Sequence, residues 1–145
     1  MKFIIAVTAL ASLAQAAVIS KRQDTTQNFE FQSFSAACEA SSDQCTFKFN
    51  LNGRGECTGS ETAFSGTDAN GASYKELPNI GVTTCQDTTW NAVRNTDGSF
   101  TISASNEAGL TGTTGIPAED FGVTDGVESY TGSGIVILYG PPLSS

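Results

Sequence analysis

Residues 85–107 read CQDTTWNAVRNTDGSFTISASNE, two strand-like runs rich in Thr, Val, Trp, Phe and Ile on either side of the turn signal TDGS. Asp97-Gly98 supplies the residue that can sit at positive φ, which a tight hairpin requires. Phe100, Ile102 and Ala104 alternate with Thr101, Ser103 and Ser105, so the hairpin is expected to bury one face and wet the other. It begins at Cys85, which makes it a place where the fold is stapled. Trp90, the only tryptophan, is read as a core residue and not as a sugar platform.

Upstream, residues 80–85 have strand character and lead into this hairpin. Residues 45–51 alternate Phe47, Phe49 and Leu51 against Thr46, Lys48 and Asn50. Residues 28–34 place Phe29 and Phe31 in phase and then, after a break, Phe34. With 36–44 read as a loop, these runs form a second hairpin. Residues 52–55 (NGRG) make a turn, 56–64 a short strand carrying Cys57, and the polar, Gly-rich stretch 65–73 a surface loop. Phe29, Phe31, Phe47, Phe49, Phe64 and Phe100 are assigned to the core.

Downstream, residues 108–116 (AGLTGTTGI) are rich in Gly and Thr. Residues 117–120 suit one helical turn, with Pro117 early and acids near its start. The continuous apolar run 134–139 (GIVILY) suits a strand buried on both faces, stopped by Pro141-Pro142. The chain is therefore expected to be all-β: a single compact antiparallel β-barrel or β-sandwich of about seven to eight short strands.

The N-terminus fixes the expected compartment. Lys2, an apolar run over 3–11 and the small-residue stretch Ala14-Gln15-Ala16-Ala17 form a secretory signal over 1–17, too short to span a hydrocarbon core of roughly 30 Å. Residues 18–22 are then a short pro-segment ending in the dibasic processing site Lys21-Arg22, and 23–145 the secreted β-domain. Processing moves the formal charge from −8 to −11, because three cations and no acid are lost. Lys48, Arg54, Lys75 and Arg94 remain. They offer no basic stripe, so nucleic acid and membrane surfaces are excluded as expected partners.

Cys38, Cys45, Cys57 and Cys85 all fall in the mature part, and an even count in a secreted chain reads as two disulfides. The count allows three pairings. Cys38–Cys45 with Cys57–Cys85 is preferred, because the first pair can close a loop between strands and the second brackets the middle of the domain. Loop entropy gives roughly 2.5 kcal/mol for the short loop and roughly 3.5 kcal/mol for the long one.

Histidine is absent. Its absence removes Ser-His-Asp and Cys-His arrangements, His-ligated zinc and copper, and the commonest general base. Oxidised cysteines leave no thiolate. Paired carboxylates are the surviving catalytic chemistry, and Glu119, Asp120, Asp125 and Glu128, near Tyr130, are the densest acidic group. A solvated surface is the reading adopted for this group, with a calcium site or a catalytic pair as alternatives; no spacing matches an EF-hand loop. No catalytic residue, cofactor or metal site is assigned, and no Asn-x-Ser/Thr acceptor for an N-glycan occurs.

The signal segment, the Lys21-Arg22 site, and the order FKFNLN, Cys57-Thr-Gly-Ser, Cys85-Gln-Asp-Thr-Thr-Trp, GSFTISASNEAG and GIVIL resemble the small secreted fungal proteins of the Alternaria major-allergen type. That group includes hypersensitive-response-inducing elicitors. The resemblance spans roughly residues 47–138. It implies a compact β-barrel or sandwich, a homodimer in some members, and action outside the fungal cell on plant or host targets. The family pattern has a later cysteine pair before the final strand; residues 126–134 have none here, so no functional surface is carried over. The expected function is that of a secreted, non-enzymatic effector or elicitor-like protein that binds a host or cell-wall target. A carboxylate-dependent glycan hydrolase and a structural wall protein are the alternatives.

Overall fold

The break in phase between Phe31 and Phe34 is a β-bulge. In the computed structural model, which describes residues 26–141, Ser33 adopts φ 50° and the ladder register shifts between Gln32 and Ser35. The extra residue restores the inward phase. Phe29, Phe31, Phe34, Ala36 and Cys38 all point into the core from one strand, β1 (Gln27–Cys38). The stretch expected to be a loop from residue 36 is thus strand as far as Cys38. The signal segment, the pro-segment with Lys21 and Arg22, and the start at Gln23 lie outside the described residues.

Eleven further strands follow: β2 (Gln44–Leu51), β3 (Glu56–Thr62), β4 (Phe64–Thr67), β5 (Ser73–Glu76), β6 (Ile80–Cys85) and β7 (Thr88–Arg94). The remainder are β8 (Phe100–Asn106), β9 (Thr111–Ile116), β10 (Phe121–Thr124), β11 (Val127–Tyr130) and β12 (Ile135–Tyr139). Twelve strands exceed the expected seven to eight. The all-β class stands. Four of the twelve have only four residues each, too short to show a period.

The main sheet runs β3-β2-β1-β12-β9-β8-β7-β6 and curls into a half-barrel. Its two end strands, β3 and β6, pack beside each other without a backbone ladder among the described residues. Cys57–Cys85 crosses this seam, with Cα atoms 5.7 Å apart. Gly59 lets the seam close, because a Cβ there would lie 2.8 Å from both the Ile80 side chain and the Trp90 ring. The other disulfide, Cys38–Cys45, joins directly opposed residues at the loop end of the β1–β2 hairpin. Both bridges match the expected pairing.

A smaller arm branches from the far end of β1. There Ala37 pairs with Ser129 of β11, which also pairs with β10 and makes one parallel bridge to β5, the single exception to antiparallel order among the described residues. Residues 65–73, expected to be a loop, contribute to the β4–β5 hairpin instead. Lys75 fixes it in place by donating to the carbonyls of Glu39, Ala40 and Ser42 in the β1–β2 loop.

Aromatic rings fill the half-barrel. Phe31 and Phe49 stack with centroids 3.7 Å apart, and Trp90 meets Phe49 edge-on at 5.0 Å, so the tryptophan is core as expected. Two assignments fail. Phe64 is 49% exposed, because it opens a short strand outside the main barrel. The apolar run of β12 is not buried on both faces: Val136 and Leu138 point inward, whereas Ile135 and Tyr139 are exposed, since no second layer covers the outer face among the described residues.

Candidate functional site

Strand alternation gives the outer face of β7, β8, β9 and β12 its character. Trp90, Ala92, Ile102, Ala104 and Leu138 fill the core, so their neighbours Thr89, Asn91, Ser103 and Ser105 stand outward. Thr111, Thr113 and Tyr139 extend this outward set onto β9 and β12. Register aligns them in two rows, Thr89–Ser105–Thr111 and Asn91–Ser103–Thr113–Tyr139. An open hollow of about 670 Å³ lies over these rows, within the size range of small-ligand sites.

Every side chain lining this hollow is neutral. Thr113 donates its hydroxyl to the Ile102 carbonyl at 3.1 Å, which leaves Ser103 as the donor in the Ser103–Thr113 hydroxyl pair at 3.3 Å. Thr89 and Ser105 pair in the same way at 3.1 Å. Each hydroxyl keeps acceptor capacity, and the Asn91 amide brings both donors and an acceptor. Tyr139, 44% exposed, and Pro141 close the β12 end of the hollow, and Val82 of β6 borders the opposite end.

A different chemistry sits between the main sheet and the small arm. Arg94 pairs with Glu76 at 3.3 Å and donates through Nη2 to Glu128, while its guanidinium lies 4.7 Å from the Phe100 ring centre. The same Glu128 oxygen accepts the Leu77 N–H at 2.8 Å. Burial, then the Glu76 and Glu128 carboxylates, raise the Tyr74 phenol above its ordinary value. These carboxylates are occupied in joining β5, β7 and β11 and face no open cleft with a free partner.

The acidic group singled out in the sequence is not brought together. Glu119 and Asp120 lie in a 3-10 turn, Ala118–Asp120, with Glu119 exposed. Asp125 sits at φ 53° in the tight β10–β11 turn, while Glu128 is buried against Arg94. Only Asp120 approaches Tyr130, whose phenol is raised by burial and then by that carboxylate. Among the described residues no group of three or more His, Cys, Asp or Glu is placed to hold a metal ion. The calcium reading of this group therefore finds no cluster of three ligands among the described residues. Reasoning from sequence missed Glu76 and Arg94, which no local spacing links, and the outward Thr and Ser rows, which read as ordinary solvent faces.

Compared with family models, with curated proteins and with solved structures, the chain matches none. Its own charges remain informative. All four cations of the described residues are committed: Lys48 to Glu56, Arg54 to Asp87, Lys75 to Asp43 and Arg94 to its two glutamates. No helix is long and apolar enough to cross a membrane among the described residues, and two disulfides are compatible with an oxidising compartment.

Proposed function

We propose that this chain is a secreted fungal effector or elicitor-like protein that acts by binding an extracellular or host target, and not by catalysis. The observation that carries the reading is the division of labour among polar groups. The carboxylates are dispersed or tied to cations, whereas the hollow over β7, β8, β9 and β12 is lined by neutral side chains alone, hydroxyls and one amide among apolar groups. Such a surface can hold a partner, but it offers no acid and base pair to break a bond. The signal segment, the dibasic site and the two disulfides support secretion. A homodimer, implied by the family resemblance, belongs to the same proposal.

The test is infiltration of purified mature protein into leaf tissue, with a parallel incubation on plant and fungal wall polysaccharides. The expected result is a tissue response to the disulfide-intact protein, lost on reduction, with no release of reducing sugar. Released sugar that disappears in Glu119→Gln or Asp120→Asn would replace this reading with the hydrolase.

A further inference from the structure

Resting on the reading of the chain as a binding protein, we propose that the hollow on β7, β8, β9 and β12 takes a neutral, extended glycan chain of a cell wall. Charge is the first argument. The chain holds 15 carboxylates and, after the first 22 residues, four cations, yet none lines this hollow. An anionic polymer would find no cation there, since all four are paired elsewhere. A cationic one would find no carboxylate. The site complements a ligand without charge.

Hydrogen-bonding character is the second. Sugar hydroxyls donate and accept at once; the Asn91 amide can do both, and the paired hydroxyls of Ser103 and Thr113, whose protons are already engaged, accept. A purely apolar ligand would bury the Asn91 amide and return it no hydrogen bond, at a cost of about 1–3 kcal/mol. Tyr139 and Pro141 at one end and Val82 at the other supply apolar surface against which the C–H faces of successive pyranose rings rest.

Geometry is the third. Four adjacent strands place Asn91, Ser103, Thr113 and Tyr139 in one row, about 14 Å long at the usual strand spacing. That length fits a short stretch of extended glycan. The side chains stand on interior strands, and the Thr89–Ser105 and Ser103–Thr113 pairs are held by cross-strand hydrogen bonds, so those four lose little rotamer freedom on binding.

The experiment is native affinity electrophoresis of the disulfide-intact mature protein in gels containing laminarin, xyloglucan or polygalacturonate. Retardation is expected in a neutral polymer and not in polygalacturonate, with no weakening as salt is raised. Tyr139→Ala and Asn91→Ala should each lower the affinity about tenfold with an unchanged circular dichroism spectrum, while Glu61→Gln on exposed β3 should not. Migration unaffected by either neutral polymer, retention in polygalacturonate alone, or retention that survives both hollow substitutions would each overturn the proposal. If the leaf response persists in those cases, only the glycan ligand falls. Sugar release from the same polymers would instead remove the binding reading on which it rests.

Discussion

Arg94 on β7 and Glu128 on β11, 34 positions apart, form the most shielded ion pair among the described residues, with side chains 15% and 8% exposed. This pair explains why a glutamate inside an acidic segment is not a free carboxylate. Glu128 neutralises a guanidinium and accepts the Leu77 N–H, and in doing so fastens the small arm to the main sheet. Arg94→Ala would leave two carboxylates facing each other with little water, so it should destabilise the fold by about 3–5 kcal/mol. Arg54→Ala, which breaks an exposed pair with Asp87, should cost about 1 kcal/mol or less. Urea denaturation of the two variants measures the contrast; equal midpoints would show that the shielded pair is not structural.

The two disulfides should differ in weight. Cys38–Cys45 closes a separation of 7 residues and Cys57–Cys85 one of 28. Loop entropy alone makes the second about 1 kcal/mol stronger, and it also holds a seam with no ladder across it. Replacing Cys57 and Cys85 by Ala should therefore lower the urea midpoint more than replacing Cys38 and Cys45. Peptide mapping without reduction checks the pairing itself, and a Cys38–Cys85 or Cys45–Cys85 linked peptide would contradict it.

Gly59 should be intolerant of a side chain. Its missing Cβ is what allows β3 to lie against Trp90 and Ile80, and neither the indole nor a β-branched residue yields cheaply. Gly59→Ala is expected to cost about 1–3 kcal/mol, as overpacked sites do, with a shift in Trp90 fluorescence. Gly81→Ala should leave that emission unchanged, since nothing lies within 4 Å of its Cβ position and its φ is not positive.

Alkaline pH should loosen the fold through its tyrosines. Burial, followed by the Glu76 and Glu128 carboxylates, raises Tyr74, and burial followed by Asp120 raises Tyr130, each from an ordinary value of 10.0. Above that value the unfolded chain sheds these protons first. The tyrosine contribution to stability is therefore fully present below about pH 10 and is lost as pH rises through the folded values. Melting temperatures measured across this range should fall, and Tyr74→Phe should make the fall shallower. At the acid end the Ser99 hydroxyl and backbone N–H hold Asp97 below its ordinary value of 3.8, so its contribution is lost as pH falls through the folded value.

The central hairpin was legible in sequence because each local signal agreed: β7 and β8 pair in register from Thr88–Asn106 to Arg94–Phe100 around Gly98 at φ 88°. The inward rings of β2 were equally plain. The bulge at Ser33 was visible only as a slip in phase, and the polar composition of residues 36–44, read as a loop, cut β1 short. The run in β12 misled because five apolar residues look the same whether one face or both are covered; alternation turns Ile135 and Tyr139 outward, and no second layer covers them among the described residues. The ion cluster and the hollow were illegible for another reason. Arg94, Glu76 and Glu128 come from three strands, and the outward rows from three and four, so their proximity is a property of sheet order and not of any stretch of chain.

The central claim is that this chain holds its target through a neutral face and does not cleave it. The most direct measurement incubates the disulfide-intact mature protein with insoluble plant wall and follows, in the same tube, the protein left in the supernatant and the soluble reducing sugar. Saturable depletion of protein, diminished by Tyr139→Ala, with sugar flat at the level of the buffer control, is the predicted result. Protein that stays in the supernatant while sugar rises steadily in proportion to the amount added would contradict it.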